Sequence, residues 1–490
     1  MKFSPIPIFI AMLFLLGTGC STITTSSQQK QAMMENFNAG NIPEALAYAQ
    51  KKHQQTAGTG DELVWLLECG SLHFLQGDFG ASLNDFRRCE ELIENYDDRA
   101  TVSLRDTGDE MLSAFTNVNA LPYRGWCRDR VAIGLYKALA YLGTGNEGAF
   151  RAQAKRLREE HQKIQDDYQK FFEAEKKQLD QAKEKNADSL AKAQDDAYLK
   201  DERNAAYVAS QQQTTQVAHR GYGNFLNPAS LFLSGLALLR DGTWDNASIE
   251  FSRLYQAMPN SPLAQQYYVT ALLQAGREIP PELSAVQPFS FPLDDNCVYI
   301  LLGHDLSASF EEMQIYFPIM IAWPVCLFHP ANLTNLSIQA DGATYITSPL
   351  ADMDAILAQE FQMRMPGLLI RTLIGVFVKE AAYQATIAAI RHKHQKSATD
   401  ELLVASATIA WKTYQALFNT ADTRSWNLLP KEYQLAQLPM PSDRTLTINL
   451  NQGAVSSPVQ LTLLDSCGSA IIYVNAMNPR NVAFQVLPLN

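Results

Sequence analysis

The spacing of apolar residues changes at Pro280 and Pro281. Before these prolines, segments of helix length repeat a common arrangement of small and large apolar residues. After them, short apolar runs are separated by Gly, Pro, Asn and Asp, which is typical of strands. The pattern predicts a mainly α chain, with a helical solenoid up to residue 280 and an α+β domain over residues 281–490.

Four segments of the first half share small, aromatic and turn residues at fixed offsets. The segment from Gly235 to Pro259 is similar to the tetratricopeptide (TPR) pattern, and the segment from Gly70 to Cys89 fits the same frame. Two segments, beginning at Gly40 and Ala138, fit more loosely. We therefore expect TPR-like repeats over residues 31–148 and 221–280, with a concave face of the kind that usually holds a peptide or protein. Generic helical hairpins are the alternative.

A long charged segment separates the third repeat from the fourth. Residues 149–220 contain neither Gly nor Pro, and residues 151–205 contain 13 Lys or Arg and 13 Asp or Glu. This composition predicts one long solvated helix, or two helices that turn near Asn186 to Asp188. A coiled coil that binds a partner and a solvated spacer are the two functional interpretations.

The second half alternates strands and helices. Helices are expected over 349–359, 366–394 and 405–419. The predicted strands are Val298–Leu302, Met313–Phe317, Pro324–Phe328, Leu336–Ala340, Leu446–Leu450, Val459–Leu464, Ala470–Asn475 and Val482–Leu487. This order indicates one α+β domain whose sheet takes strands from both ends of the segment, or else two separate β lobes.

The N-terminus has the features of an export signal. Residues 3–16 are apolar except for Ser4, which is too short a run for a spanning helix. The following Leu-Gly-Thr-Gly-Cys, ending at Cys20, resembles a bacterial lipobox. This predicts a signal peptide over 1–19, lipid attachment at Cys20 and a flexible tether over 20–30. An ordinary secretory leader with a chance cysteine is the alternative.

Ser21 indicates the membrane to which the lipidated protein is sorted. A residue other than Asp after the lipidated cysteine resembles the outer-membrane sorting choice of Gram-negative bacteria. The predicted location is therefore the outer membrane, on the periplasmic side. The net charge of −11 argues against nucleic acid as a partner.

The six remaining cysteines contain no CxxC motif. Export permits disulfides, with Cys297–Cys326 or Cys69–Cys89 favoured if any forms. Small buried side chains are the other interpretation.

Sequence motifs of common enzymes are missing. There is no Gly-rich phosphate loop, GxSxG, HExxH or metal-ligand spacing of Cys and His. We therefore predict no catalytic residue, no metal and no cofactor. An enzyme acting on peptidoglycan or lipid, using acids such as Asp352 and Asp354, is the competing interpretation.

Two clusters combine arginine with tryptophan. The candidate binding residues are Tyr123, Arg124, Trp126, Arg130, Arg424 and Trp426. Arg and Trp together favour recognition of carboxylates, phosphates or peptides. In the alternative interpretation, these residues lock an internal junction.

The stretches YRGWCRDRVAIGLYKALAYLGTGN, PLADMDAI and DTRSWNLLP carry a family resemblance. They resemble a family of uncharacterised Gram-negative bacterial lipoproteins with TPR-like N-terminal halves. That family has no assigned activity, so the resemblance implies no catalytic residue. The predicted function is a periplasmic scaffold that binds protein partners of the cell envelope, with a subunit of a secretion or export machine as a further alternative.

Overall fold

The computed structural model describes residues 26–103, 122–185, 196–223, 225–317, 319–365, 367–368, 388, 421–452 and 455–489. The predicted signal peptide and Cys20 lie outside the described residues. So does almost all of the two helices predicted over 366–394 and 405–419.

The N-terminal part is helical and the C-terminal part contains sheets, so the fold is mixed α/β. The helices are α1 (Ser26–Asn38), α2 (Ile42–Thr56), α3 (Glu62–Leu75), α4 (Phe79–Ser103), α5 (Cys127–Gly143), α6 (Glu147–Lys185), α7 (Ala205–Ala218), α8 (Pro228–Arg240), α9 (Trp244–Ala257), α10 (Pro262–Gln274) and α11 (353–365). Short 3₁₀ helices span Asp196–Lys200, Glu202–Asn204 and Pro281–Leu283.

The helices stack in chain order. Each helix from α1 to α6 contacts the next, α6 contacts α8, and α8 to α10 continue the array. Helix α7 instead packs against a strand, β3 (Ile319–Leu327). The charged segment therefore begins inside the array, because α6 is the second helix of the third pair and starts two residues before the predicted boundary at 149.

Two helical pairs pack in the way that the repeat pattern predicts. A methyl group on Gly70 would lie 2.7 Å from the Phe86 ring, and one on Gly235 would lie 2.7 Å from the Phe251 ring. The missing side chain thus lets each ring of the second helix approach the backbone of the first. The intervening turns use Gly77 at φ +78° and Gly242 at φ +69°.

The strands form three sheets in the described part of the chain. They are β1 (Cys297–Leu306), β2 (Ser309–Phe317), β3, β4 (Asn335–Ala340), β5 (Ala343–Ile346), β6 (Ser348–Asp352), β7 (Pro430–Pro439), β8 (Thr445–Gln452), β9 (Val455–Thr462), β10 (Ser469–Ala476) and β11 (Ala483–Leu489). The central sheet has the order β11-β10-β1-β7-β6, the outer sheet β5-β4-β8-β9, and β2 pairs with β3.

The eight predicted strands are confirmed, and so is the sharing of strands from both ends. Strand β1 pairs in parallel with β10 and antiparallel with β7, and β4 pairs with β8. Three strands were not predicted: β5, β6 and β7. The first helix predicted for the second half was expected to begin at Pro349. This is wrong, because 348–352 form β6 and α11 begins at 353.

Alternate residues of the central sheet enter two different cores. Val298, Ile300 and Leu302 of β1 pack against the outer sheet in one core. Tyr299 and Leu301 face the opposite way, into a second core shared with the helices. The result is three layers: helices, central sheet and outer sheet.

The helices cover the central sheet with one face, here called the inner face and formed by α3, α5, α8 and α10. The Phe74 and Tyr473 rings meet edge to face at 5.4 Å. The Phe232 and Tyr299 ring centroids lie 5.8 Å apart, and Tyr267 donates a 3.0 Å hydrogen bond to Gln437. The face expected to hold a partner is therefore occupied by the chain's own sheet.

The predicted tether is wrong for residues 26–30. These residues form the start of α1, and Lys30 is only 1% exposed. Met33 and Phe37 lie on the same helical face and are also buried. The helix is held by packing of this face, despite its Ser- and Gln-rich sequence.

The six cysteines of the described residues are buried as free thiols. Burial raises the pKa of Cys69, Cys89 and Cys127, which keeps these thiols protonated and inert. Among the described helices, none combines the length and apolarity that crossing a bilayer requires.

The close helix contacts generate a stability prediction. Replacing Gly235 with Ala should lower the free energy of unfolding by about 1–3 kcal/mol, because the new methyl group must displace the Phe251 ring. Urea unfolding followed by circular dichroism measures the change.

Gly80→Ala is the matched control, because its added methyl group would meet nothing closer than 3.8 Å. We expect this helix-surface change to be neutral or slightly stabilising. Equal losses from both substitutions would contradict the packing described for α8 and α9.

Candidate functional site

The two Arg/Trp clusters meet at a single junction. Indole Nε1 of Trp126 donates a 3.3 Å hydrogen bond to the backbone oxygen of Arg424, 298 residues away in sequence. Around this contact, residues 421–429, here called the junction segment, run between the helices and the central sheet without belonging to a strand. The junction is thus the place where sequence-predicted site residues converge.

A buried ion pair holds the middle of the junction segment. Lys30 of α1 pairs with Glu68 of α3, and both side chains are almost fully buried. The Lys30 ammonium also donates to the backbone oxygen of Ser425. The Glu68 carboxylate accepts from the backbone N–H groups of Asn427 at 2.8 Å and Leu428 at 3.1 Å. The pair therefore satisfies backbone groups that have no strand partner.

Trp426 fills the core between the helices and the sheet. It is 0% exposed and stacks near Phe86 and Tyr136, with ring centroids 5.5 and 5.6 Å away. Its Nε1 donates a 2.9 Å hydrogen bond to Ser71 Oγ. Its backbone oxygen accepts from the Arg128 guanidinium at 3.1 Å.

Arg424 and Tyr123 are buried, and each makes polar contacts of its own. Arg424 pairs with Asp422 at 2.7 Å and with Asp61, beside α3, at 3.0 Å. Tyr123 donates its hydroxyl to Asp129, and its backbone N–H binds Gly60. These contacts join the loop before α3 to the loop before α5.

Arg124 and Arg130 share one carboxylate. Arg130 Nη1 lies 2.8 Å from Asp97 Oδ2, and Arg124 Nε lies 2.9 Å from Asp97 Oδ1. Burial alone would raise the pKa of Asp97, but the two arginines outweigh it and lower the pKa. The charges are therefore paired inside the protein.

At the outer corner of the junction, the Arg364 guanidinium lies near two aromatic rings. Arg364 of α11 lies 4.5 Å from the Trp126 ring centre and 4.8 Å from that of Tyr168. It pairs at 2.8 Å with Glu360, which also accepts the backbone N–H of Cys127 at the start of α5. Burial raises the pKa of Glu360 well above its ordinary value.

All six predicted binding residues therefore make contacts within the chain. This is the arrangement that the junction interpretation describes. Arg124, Trp126 and Arg130 keep part of their side chains at the surface. Sequence reasoning missed Lys30, Glu68 and Ser71. The helical spacing of Lys30, Met33 and Phe37 is the signal that could have placed α1 in the core.

The acids of the competing enzyme interpretation are engaged structurally. Asp352 accepts the backbone N–H of Ala355 and pairs with Arg220 at 3.0 Å. Asp354 is fully buried against Lys431, and it accepts a 2.9 Å hydrogen bond from Ser307 Oγ. The two carboxylates thus hold the start of α11 in place.

A second buried polar group, His304 with Asp305 and Glu432, lies on the paired strands β1 and β7 of the central sheet. His304 Nδ1 lies 2.9 Å from Asp305, and His304 Nε2 lies 3.7 Å from Glu432 across the β1–β7 pair. Burial opposes the charge of His304, but the two acids outweigh it and raise its pKa to about 9. No cluster of His, Cys, Asp and Glu suited to a metal ion occurs among the residues described.

Comparisons with known proteins provide no family. No family model and no curated protein matches the sequence. Among solved structures, the complex of the yeast Sti1 TPR2AB domain with pHSP90 aligns at 11% identity, covering 80% of this chain and 97% of that one, with a TM-score of 0.19. With so low a TM-score, the match supports no inference about fold, ligand or function.

The ion pair of the junction generates a second prediction. Lys30→Met should lower the free energy of unfolding by about 3–5 kcal/mol, because it leaves the Glu68 charge buried without its partner. The double variant Lys30→Met/Glu68→Gln should recover part of this loss, since a neutral amide still accepts a backbone hydrogen bond. Urea unfolding of both variants measures the difference.

Lys51→Met is the matched control, because Lys51 is exposed on α2 and should change stability by less than about 0.5 kcal/mol. If Lys30→Met lowers the free energy of unfolding no more than this control does, the ion pair does not hold the junction segment.

Proposed function

We propose that the protein is a lipid-anchored scaffold on the periplasmic side of the outer membrane that binds a protein partner of the cell envelope without catalysis. The lipobox-like sequence ending at Cys20 supports the anchor. The TPR-like packing of Gly70 on Phe86 and Gly235 on Phe251 supports a class of helical array that commonly binds proteins.

The partner would bind outside the inner face, which the central sheet already covers. The second helix of each pair offers the remaining helical surface. Helix α6 is the longest described, with 39 residues.

The observation that carries the scaffold proposal is a row of exposed charged side chains on α6 beyond Tyr168. Beyond Tyr168, none of the described α6 side chains is buried. Residues 169–185 would extend about 25 Å at a rise of about 1.5 Å per residue. The side chains described there are all exposed, and all except that of Gln169 are charged: Lys170, Glu173, Lys176, Lys177, Asp180 and Glu184. A row of exposed side chains with mixed charge fits a docking surface for an oppositely patterned partner.

The lipid anchor is tested by substitution at the lipobox. Cys20→Ser should abolish incorporation of radiolabelled palmitate and release the protein from membranes, because the acyl chains supply the anchoring energy. Ser21→Asp should keep the label but move the protein to the inner membrane, as the sorting resemblance implies.

Ser21→Ala is the matched control, and it should retain both the label and the outer-membrane fraction. Label on the Cys20→Ser variant would refute lipidation at this position.

Partner binding is tested by photocrosslinking in living cells. A photoreactive residue in place of Glu173 or Lys177 should give a discrete protein adduct, because both side chains are exposed on α6 beyond Tyr168. Mass spectrometry of the adduct would identify the partner.

Glu159 and Gln256 provide control positions, because both are exposed on the array but outside this end of α6. Adducts at the control positions alone would show that the partner binds another surface of the protein. An absence of adducts at all four positions would contradict the scaffold proposal.

A further inference from the structure

Four buried polar groups converge in the core between the helices and the central sheet. They are the hydroxyls of Tyr136 on α5, Tyr433 on β7 and Tyr473 on β10, and the side-chain amide nitrogen of Asn475 on β10. These groups are here called the hydroxyl cluster. Each of the four residues is at most 2% exposed. The cluster is therefore a polar site enclosed within the shared core.

A glycine of β1 makes room for the cluster. In the central sheet, Gly303 stands opposite Tyr433 of β7 on one side and Asn475 of β10 on the other. A methyl group on Gly303 would lie 2.8 Å from the hydroxyl oxygen of Tyr473. A glycine inside a strand often marks a close approach of this kind. The space beside Gly303 is therefore lined by polar atoms, although it lies in the middle of a buried sheet.

The four groups have no hydrogen-bond partner in the described part of the chain. The three hydroxyls are close enough to act on one another's pKa, yet no pair of them has the distance and angle of a hydrogen bond. Asn475 uses its side-chain oxygen for the backbone N–H of Met477 at 3.2 Å, so its amide nitrogen is left over. Buried polar groups nearly always have a partner, because burial removes their hydrogen bonds to solvent. The cluster therefore requires a partner other than the described residues.

Charge and burial determine which partner fits. Burial raises the pKa of Tyr136, Tyr433 and Tyr473 well above the ordinary value, so all three are neutral hydroxyls that can donate and accept. Four neutral groups do not balance the charge of a buried ion. A larger organic molecule would need an opening, which residues at most 2% exposed do not offer. Water is small and uncharged, and it both donates and accepts hydrogen bonds.

We infer that the hydroxyl cluster binds internal water, held by at least two of the three tyrosine hydroxyls and by the Asn475 amide. A buried water typically makes about three hydrogen bonds to groups that would otherwise be unsatisfied, and the cluster offers four such groups. The water would link α5 to strands β7 and β10. Hydrogen bonds through water would thus join the helical array to the central sheet.

This binding site goes beyond the proposed scaffold function. It requires neither the lipid anchor nor a protein partner, because all of its groups lie inside one chain. Its test is therefore independent of the results at Cys20 and on α6. A crystal structure of the full-length protein at about 1.5 Å resolution shows the site directly. We expect at least one water oxygen about 2.7–3.2 Å from two or more of the four groups.

Removal of single hydroxyls tests the same site by stability. Tyr136→Phe and Tyr433→Phe should each lower the unfolding temperature by about 1–3 °C, because the water loses a hydrogen-bond partner. The double variant should lower it by less than the sum of the two, since both changes act on one shared water. Scanning calorimetry of the three variants measures these shifts. Tyr255→Phe is the matched control, because Tyr255 is half-buried on α9 and lies outside the cluster, and it should cause no shift.

Three outcomes would overturn the inference. In the crystal structure, one is a set of tyrosine hydroxyls that bond directly to one another with no water between them. Another is electron density for a larger molecule, which would make the cluster the site of an organic ligand. In calorimetry, the third is an unfolding temperature of Tyr433→Phe that is unchanged or raised. A cluster without water would give this result, because the substitution would only remove an unpaired buried hydroxyl.

Discussion

The hydrogen-bonding demand of the buried junction segment is the constraint on which the rest of the structure depends. Residues 421–429 are extended but belong to no strand, so their backbone groups need partners from elsewhere. Each buried group left unpaired would cost about 1–3 kcal/mol. Lys30, Glu68 and Ser71 of the helices supply partners. Arg128 and Trp126 supply further ones.

This demand joins the two halves of the chain. A single core runs from Phe37 of α1 through Trp426 to Leu487 of β11. The helical array and the central sheet therefore share one core over the described residues. A helical array whose concave face is free can use it to bind a partner, whereas here the inner face is covered by the chain's own sheet. Recognition must use surfaces that remain outside this core.

Local patterns predicted the helical pairs and most strands, because both signals reside within a few dozen residues. The contact of Gly235 with Phe251 spans 16 positions, and the TPR-like offsets encode it directly. Strand β7 was missed because its buried and exposed residues do not alternate clearly. It lies between β1 and β6 in the central sheet. The convergence of Trp126 with Arg424 was not predictable, because no local pattern specifies a contact across 298 residues. Composition also misled at residues 26–30, where tertiary packing overrides a polar sequence.

Proline has a recurrent place at the margins of the sheets. Pro349 lies in β6 and Pro488 in β11, the two edges of the central sheet, and Pro458 lies in β9 at one edge of the outer sheet. A proline removes the donor that an incoming strand would need. A lipid-anchored chain would share a two-dimensional surface with its copies. Their high effective concentration there would favour even weak pairing between edge strands. Blocked edges would keep neighbouring molecules separate on a membrane, so that crowding raises their surface density without joining them into fibres.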